Sequence, residues 1–131
     1  MGIAWDDYLV QVQDRGQYTT RREAERATRA VMTALGSHLV GAERRELSDQ
    51  LPVQFQALLL DPLPATTPLS PPDFVEAVAL LSGGATPQTA RWDAGAVLST
   101  LADLIDPELL RPILIQLPPG YAPLFGRTEP A

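Results

Sequence analysis

The chain has 131 residues, with 16 acidic side chains against 10 basic ones, a formal net charge of -6, one histidine and no cysteine. That length suits a single compact core, and the acidic balance opposes non-specific adhesion to phosphate backbones and anionic lipid. Without cysteine there is no disulfide, thiolate metal site or cysteine nucleophile, and the single His38 excludes a multi-histidine metal site.

The first ten residues carry Asp6 and Asp7 where a secretory leader would be basic and then apolar. No later run approaches the ~20 apolar residues of a membrane span, so a cytoplasmic protein without membrane contact is expected. The first helix presents Tyr8 and Val12 on one face and stops at Gly16. The second opens with Thr20-Arg21-Arg22-Glu23, a capping box in which hydroxyl and carboxylate each satisfy a free backbone N–H. Ala24, Ala27, Val31, Leu35 and His38 or Leu39 then recur at three- and four-residue spacing, with Arg22, Arg26 and Arg29 facing away. A short third helix runs from about Ala42 to Asp49. The fourth begins at Pro52, whose fixed φ suits a first helical position, and shows Phe55, Leu58 and Leu59 together.

Residues 61–71 read as a stiff proline-rich connector. Beyond it, Ser70-Pro71, Thr86-Pro87 and Asp106-Pro107 mark three further helix starts, each a cap followed by proline. Pro112 and Pro123 fall inside the last two predicted helices, which are therefore expected to be short or kinked. Residues 127–131 are expected to be disordered. No segment alternates with β-branched enrichment, so no strand is assigned.

The chain also repeats itself. Shifted by 66 residues without a gap, Asp7–Leu59 falls on Asp73–Phe125 with 12 of 53 pairs identical, against a chance expectation of roughly one in fifteen. Tyr8 meets Phe74, Val31 meets Val97, Leu35 meets Leu101, Gln50-Leu51-Pro52 meets Gln116-Leu117-Pro118, and Phe55 meets Tyr121. The predicted fold is all-α: a tandem duplication of a four-helix unit, about eight short helices, packed as one pseudo-symmetric domain over 1–131. The units span 6–60 and 72–126.

This arrangement resembles the bacterial family known as domain of unknown function 2267. The likeness rests on an Ala-rich helix (Ala24–Leu39), a charged short helix (Ala42–Asp49), Gln50-Leu51-Pro52 and an aromatic ending (Phe55–Leu59), met again up to Tyr121–Phe125. The resemblance implies an all-helical fold and no assigned reaction, and it supplies no catalytic residues.

Polar residues common to both copies, apart from caps and Asp7/Asp73, are Arg45/Arg111 and Gln50/Gln116. Gln before Leu-Pro is expected to hydrogen-bond free carbonyls at a helix end. Arg45 and Arg111 are candidate anion contacts in a groove between the units, since a guanidinium offers a bidentate fork. Arg15, Arg21, Arg22, Arg26 and Arg29 form a basic concentration, but Glu23 and Glu25 interleave it and Gln88 and Trp92 replace two of its members in the second copy. A solvated face is the expected reading, and nucleic acid is disfavoured. His38 has Leu104 as counterpart and no identifiable partner, and no nucleophile motif is present, so no enzyme, cofactor or metal is expected.

The copies differ most where polar residues become apolar. Trp92, Leu109, Leu110, Leu114 and Ile115 stand at the positions of Arg26, Glu43, Arg44, Ser48 and Asp49. Such residues either pack beneath the other unit, the reading favoured for Leu109 and Ile115, or form an exposed association site, for which Trp92 is the best anchor. The leading expectation is a non-catalytic protein interaction module, self-associating as a homodimer or binding another protein. The alternative is a small-ligand or anion binder.

Overall fold

Helix starts are set by side-chain oxygens that accept from backbone N–H groups one turn on. In the computed structural model, which describes residues 4–39, 41–60 and 69–128, Thr20 accepts from the Glu23 N–H at 3.2 Å, Thr86 from the Thr89 N–H at 3.1 Å, Ser70 from the Asp73 N–H at 3.4 Å, and Asp106 from the Glu108 N–H at 3.0 Å. Each oxygen satisfies a donor that has no intrahelical acceptor. Three of these caps precede a proline in the first turn. The Thr20–Glu23 pair differs from a full capping box, because the Glu23 carboxylate accepts from the Thr20 hydroxyl at 3.4 Å.

The resulting helices are α1 (Trp5–Gly16), α2 (Arg21–His38), α3 (Gly41–Gln50), α4 (Gln54–Leu60), α5 (Pro71–Leu81), α6 (Pro87–Leu104) and α7 (Pro107–Gln116), followed by a 3-10 helix, Ala122–Phe125. There is no strand among the described residues. Pro52 lies ahead of α4 and its carbonyl accepts from the Phe55 N–H, so it introduces that helix without belonging to it. Pro112 is carried inside α7, whereas Pro123 sits in the first turn of the 3-10 helix, where its missing N–H leaves no acceptor unpaired. The shortened last element follows from that proline and from Gly120 and Gly126, both at positive φ.

α2 and α6, 18 residues each, form the centre. α2 packs on α1, α4, α5 and α6; α6 packs on α1, α2, α5 and the 3-10 helix; α3 packs on α4 and α7. The apolar stripe of α2 (Ala24, Ala27, Val31, Leu35) and that of α6 (Ala90, Ala94, Val97, Leu98, Leu101) enter one continuous core. Small residues on both helices allow close approach, and two edge-to-face ring pairs fill the ends: Tyr8 with Phe55 at 4.8 Å and Phe74 with Tyr121 at 5.3 Å between centroids. Tyr8 and Tyr121 donate their hydroxyls to the carbonyls of Val97 and Leu69, and burial pushes both phenols above their ordinary range.

Several expectations need correction. Gly16 ends α1 as its last residue while Gln17 takes the left-handed conformation, φ 55°. Gly16 is small for another reason: a Cβ there would lie 2.1 Å from the Tyr18 ring. Pro71 belongs to α5 and not to the connector, whose residues 61–68 lie outside the described residues. In the tail, Arg127 is ordered by an ion pair with Asp103 and by its N–H on the Ala122 carbonyl; 129–131 lie outside the described residues.

Gln50 and Gln116 each reach across to the other half of the chain. The Gln50 side-chain oxygen accepts from the Asp106 N–H at 2.9 Å, and the Gln116 amide donates to the Glu43 carboxylate at 3.3 Å. Each ties the end of α3 or α7 to the neighbourhood of the other's start.

Candidate functional site

Where the end of α1 meets the first half of α6, two bonds clamp the Gly16–Tyr18 turn. The Trp92 indole N–H donates to the Gly16 carbonyl at 2.8 Å, and the Tyr18 hydroxyl donates to Asp93 Oδ1 at 2.5 Å. Adjacent residues on α6 thus hold opposite sides of one turn.

Trp92 remains 56% exposed although its single donor is satisfied internally, so what it offers outward is apolar ring. Beside it is a cavity of about 400 Å³ lined by Arg15, Gln88, Arg91, Trp92, Gly95, Ala96 and Ser99. The small residues Gly95, Ala96 and Ser99 occur at helical spacing on the same face of α6 as Trp92, which makes the hollow. Arg15 is fixed by an ion pair with Asp103, which also accepts from Arg127 Nη2 at 2.5 Å. Those two guanidinium groups, Arg127 foremost, hold the Asp103 carboxyl below its ordinary range. Arg91 makes no ion pair with any described residue.

Asp93 is 7% exposed, in register with the buried Ala27. Burial raises its pKa, partly offset by the Tyr18 hydrogen bond, and the same pairing together with burial pushes Tyr18 up. Around them is a crevice of about 200 Å³ that also exposes Glu23, Arg26, Ser82 and Thr89.

The five residues singled out from the sequence do not share a surface. Leu109 and Leu110 are core residues, 3% and 7% exposed, and Leu114 packs half-buried against the core. Ile115 is 65% exposed on α7, opposite to the packed position expected for it. The cause is helical phase: Leu109, Ile113 and the adjacent Leu110 face α3 and the core, while Arg111 and Ile115, four apart, face outward. α7 packs against α3, whereas Trp92 is seated on the end of α1. Trp92, expected to be exposed, is so.

Arg45 and Arg111 do not face one groove between the units either. Arg45 lines a cavity of about 870 Å³ with Ala42, Arg44, Ser48, Asp49, Gln56 and Leu60, all from α3 and α4, and Arg111 is not part of it. Ser48 is 1% exposed and its hydroxyl has no hydrogen-bond partner.

His38 is buried, its Nδ1 donating to the Ala34 carbonyl at 2.7 Å and its ring edge-on to Phe74. It lines none of these cavities. Among the described residues no cluster of three or more His, Cys, Asp or Glu side chains could hold a metal, and no helix is long and apolar enough to cross a membrane.

Tyr18, Asp93 and Ser48 were missed from sequence. A carboxylate in register with a core alanine marks Asp93; nothing in the spacing marks the other two.

The family model described as an uncharacterized conserved protein, DUF2267, matches residues 5–124. No curated protein matches the chain.

Proposed function

The chain belongs to the DUF2267 family of uncharacterized conserved proteins, and we propose that it is a non-catalytic helical interaction module whose Trp92 face docks a protein, in the first instance a second copy of itself. The observation that carries this is Trp92: a large ring half out in solvent, held in place by its own N–H on Gly16, beside a hollow of small residues. Such a ring is pre-organised, so burying it in a partner costs little side-chain entropy. Arg91 at the rim supplies a charge complement for a partner carboxylate.

The module is, in this reading, a tandem duplication. Support comes from the equivalent ring pairs Tyr8–Phe55 and Phe74–Tyr121, from the matching lengths of α2 with α6 and of α3 with α7, and from the reciprocal reach of Gln50 and Gln116. A cytoplasmic setting suits its cysteine-free composition.

The test is the mass of wild type, Trp92→Ala and Gly95→Gln in solution across a concentration series, by light scattering after size exclusion. Gly95 is the control for folding, since a Cβ there meets nothing within 4 Å and a longer side chain fills only the hollow. Wild type should self-associate, and both variants should be monomers, with Gly95→Gln keeping its thermal stability. A monomeric wild type, together with a set of captured cell proteins that neither variant alters, would overturn the proposal.

A further inference from the structure

We propose that the Trp92 hollow of one copy receives the end of α5 from a second copy, with Leu80 entering the hollow and Glu76 meeting Arg91 at its rim. This rests on the reading of Trp92 as a docking face and adds what docks there. Arg91 lies between two apolar hollows: with Gln88 it lines both the one beside Trp92 and a smaller one, about 200 Å³, formed with Pro72, Val75 and Pro87. A partner that covers this surface takes the Arg91 guanidinium out of water, and Arg91 makes no ion pair with any described residue. The partner must therefore bring a carboxylate, or an uncompensated charge is buried. The net charge of -6 points the same way, since copies that repel at long range gain most where a free cation of one meets an acid of the other.

The end of α5 has the matching form. Among the described residues Leu80 is the most exposed large apolar side chain, at 73%, and Leu81 beside it is 51% exposed. Glu76 is exposed too and makes no ion pair with any described residue. Its spacing of four places it on the same face as Leu80, within reach of a charge at the rim of whatever Leu80 enters. The corner is stiff, because the backbone N–H groups of Ser82, Gly83, Gly84 and Ala85 all return to carbonyls of Val78, Ala79 and Leu80. Little ordering is therefore lost when it docks. Gly83 and Gly84, at positive φ and with nothing within 4 Å of a Cβ, carry the chain away without side chains that would shield the leucines. Other exposed apolar residues fit less well. Ile115 shares its face with Arg111, and Leu60 its cavity with Arg44 and Arg45, so either would set arginine against Arg91. Val10 and Val53 each offer one shorter side chain.

The experiment is sedimentation equilibrium on the full chain, comparing wild type, Leu80→Gln, Glu76→Arg, Arg91→Glu and an equimolar mixture of the last two. All three positions are exposed, so the substitutions leave the core untouched. Each single variant should weaken self-association about tenfold or more, through a lost apolar contact or a like-charge contact. In the mixture an arginine at 76 can meet a glutamate at 91, and the native Glu76 the native Arg91, so association should return to the wild-type level. That recovery is one which a misfolded variant could not give. Leu80→Gln associating as wild type does while Trp92→Ala is monomeric would overturn this inference and leave the docking role of Trp92 standing. The same holds for charge reversals that show no recovery on mixing. A wild type monomeric at every concentration would overturn it together with docking to a second copy.

Discussion

Asp93 is a carboxylate at a position that helix geometry reserves for the core. With burial raising its folded pKa above the unfolded value, the native state holds the Asp93 proton more tightly than the unfolded chain does. The sign follows: as far as Asp93 is concerned, stability is greatest below its ordinary value of 3.8, declines as pH rises from there through the raised folded value, and is level above it. Asp103 has the opposite sign, since Arg127 and Arg15 lower it; its stabilisation is present above 3.8 and is lost as pH falls through the lowered value. With two-fifths of its side chain exposed, that term is small. Asp93→Asn keeps an acceptor for Tyr18 and removes the buried charge. It should be more stable than wild type at pH 7 and lose the decline above 3.8, as read from urea midpoints at several pH values. A variant less stable at pH 7 would mean that the charge itself holds the Tyr18 turn. Asp93 was missed although its register with the core position Ala27 carries a signal; its partner carries none, because Tyr18 lies in a turn whose direction no periodicity reports. Trp92 was legible as the best candidate for an exposed anchor, but its seat on the Gly16 carbonyl was not, since an indole suits core and interface equally.

Helix starts were legible because a cap is a local event: Thr20, Ser70, Thr86 and Asp106 all act within three residues of themselves. Helix contacts were less so. Gly36 reads as an ordinary weak point in a long helix, yet a Cβ there would lie 2.8 Å from the carbonyl oxygens of Leu58 and Leu59 and 2.9 Å from the Leu59 Cα. These are backbone atoms, so no rotamer change relieves the clash. Gly36 thereby sets how closely α4 lies on α2. In the corresponding place α6 carries Ala102, buried, with a short 3-10 helix in place of an α4-like partner. Gly36→Ala should cost about 1–3 kcal/mol in chemical denaturation, despite alanine's better helix propensity. A neutral or stabilising result would show that α4 moves freely on α2. Helical phase likewise decided α7: the replacement of polar by apolar residues was visible, but which of Leu109, Leu110, Leu114 and Ile115 stayed outside depended on a rotation that Pro112 makes hard to extrapolate.

At the scale of the molecule, the halves do not own separate cores. α6 takes α1 on one side and α2 on another, and the buried Tyr8 hydroxyl finds its acceptor on Val97. Taken alone, residues 1–60 would leave the faces of α1 and α2 that meet α5 and α6 in water. That fragment should lack a cooperative thermal transition by circular dichroism, whereas the full chain should unfold in one step. A fragment melting cooperatively would overturn this. The all-helical class was legible in the residues themselves, but the interleaving of the helices is a relation between distant segments and left no mark on either.

The Tyr8–Val97 bond spans 89 residues of chain. During synthesis at about 5–20 residues per second, α1 therefore waits roughly 4–18 seconds before its acceptor has even been made. Through that interval the faces of α1 and α2 that meet α6 have nothing to cover them. The rate at which the second half arrives therefore sets how long those faces stay open to water.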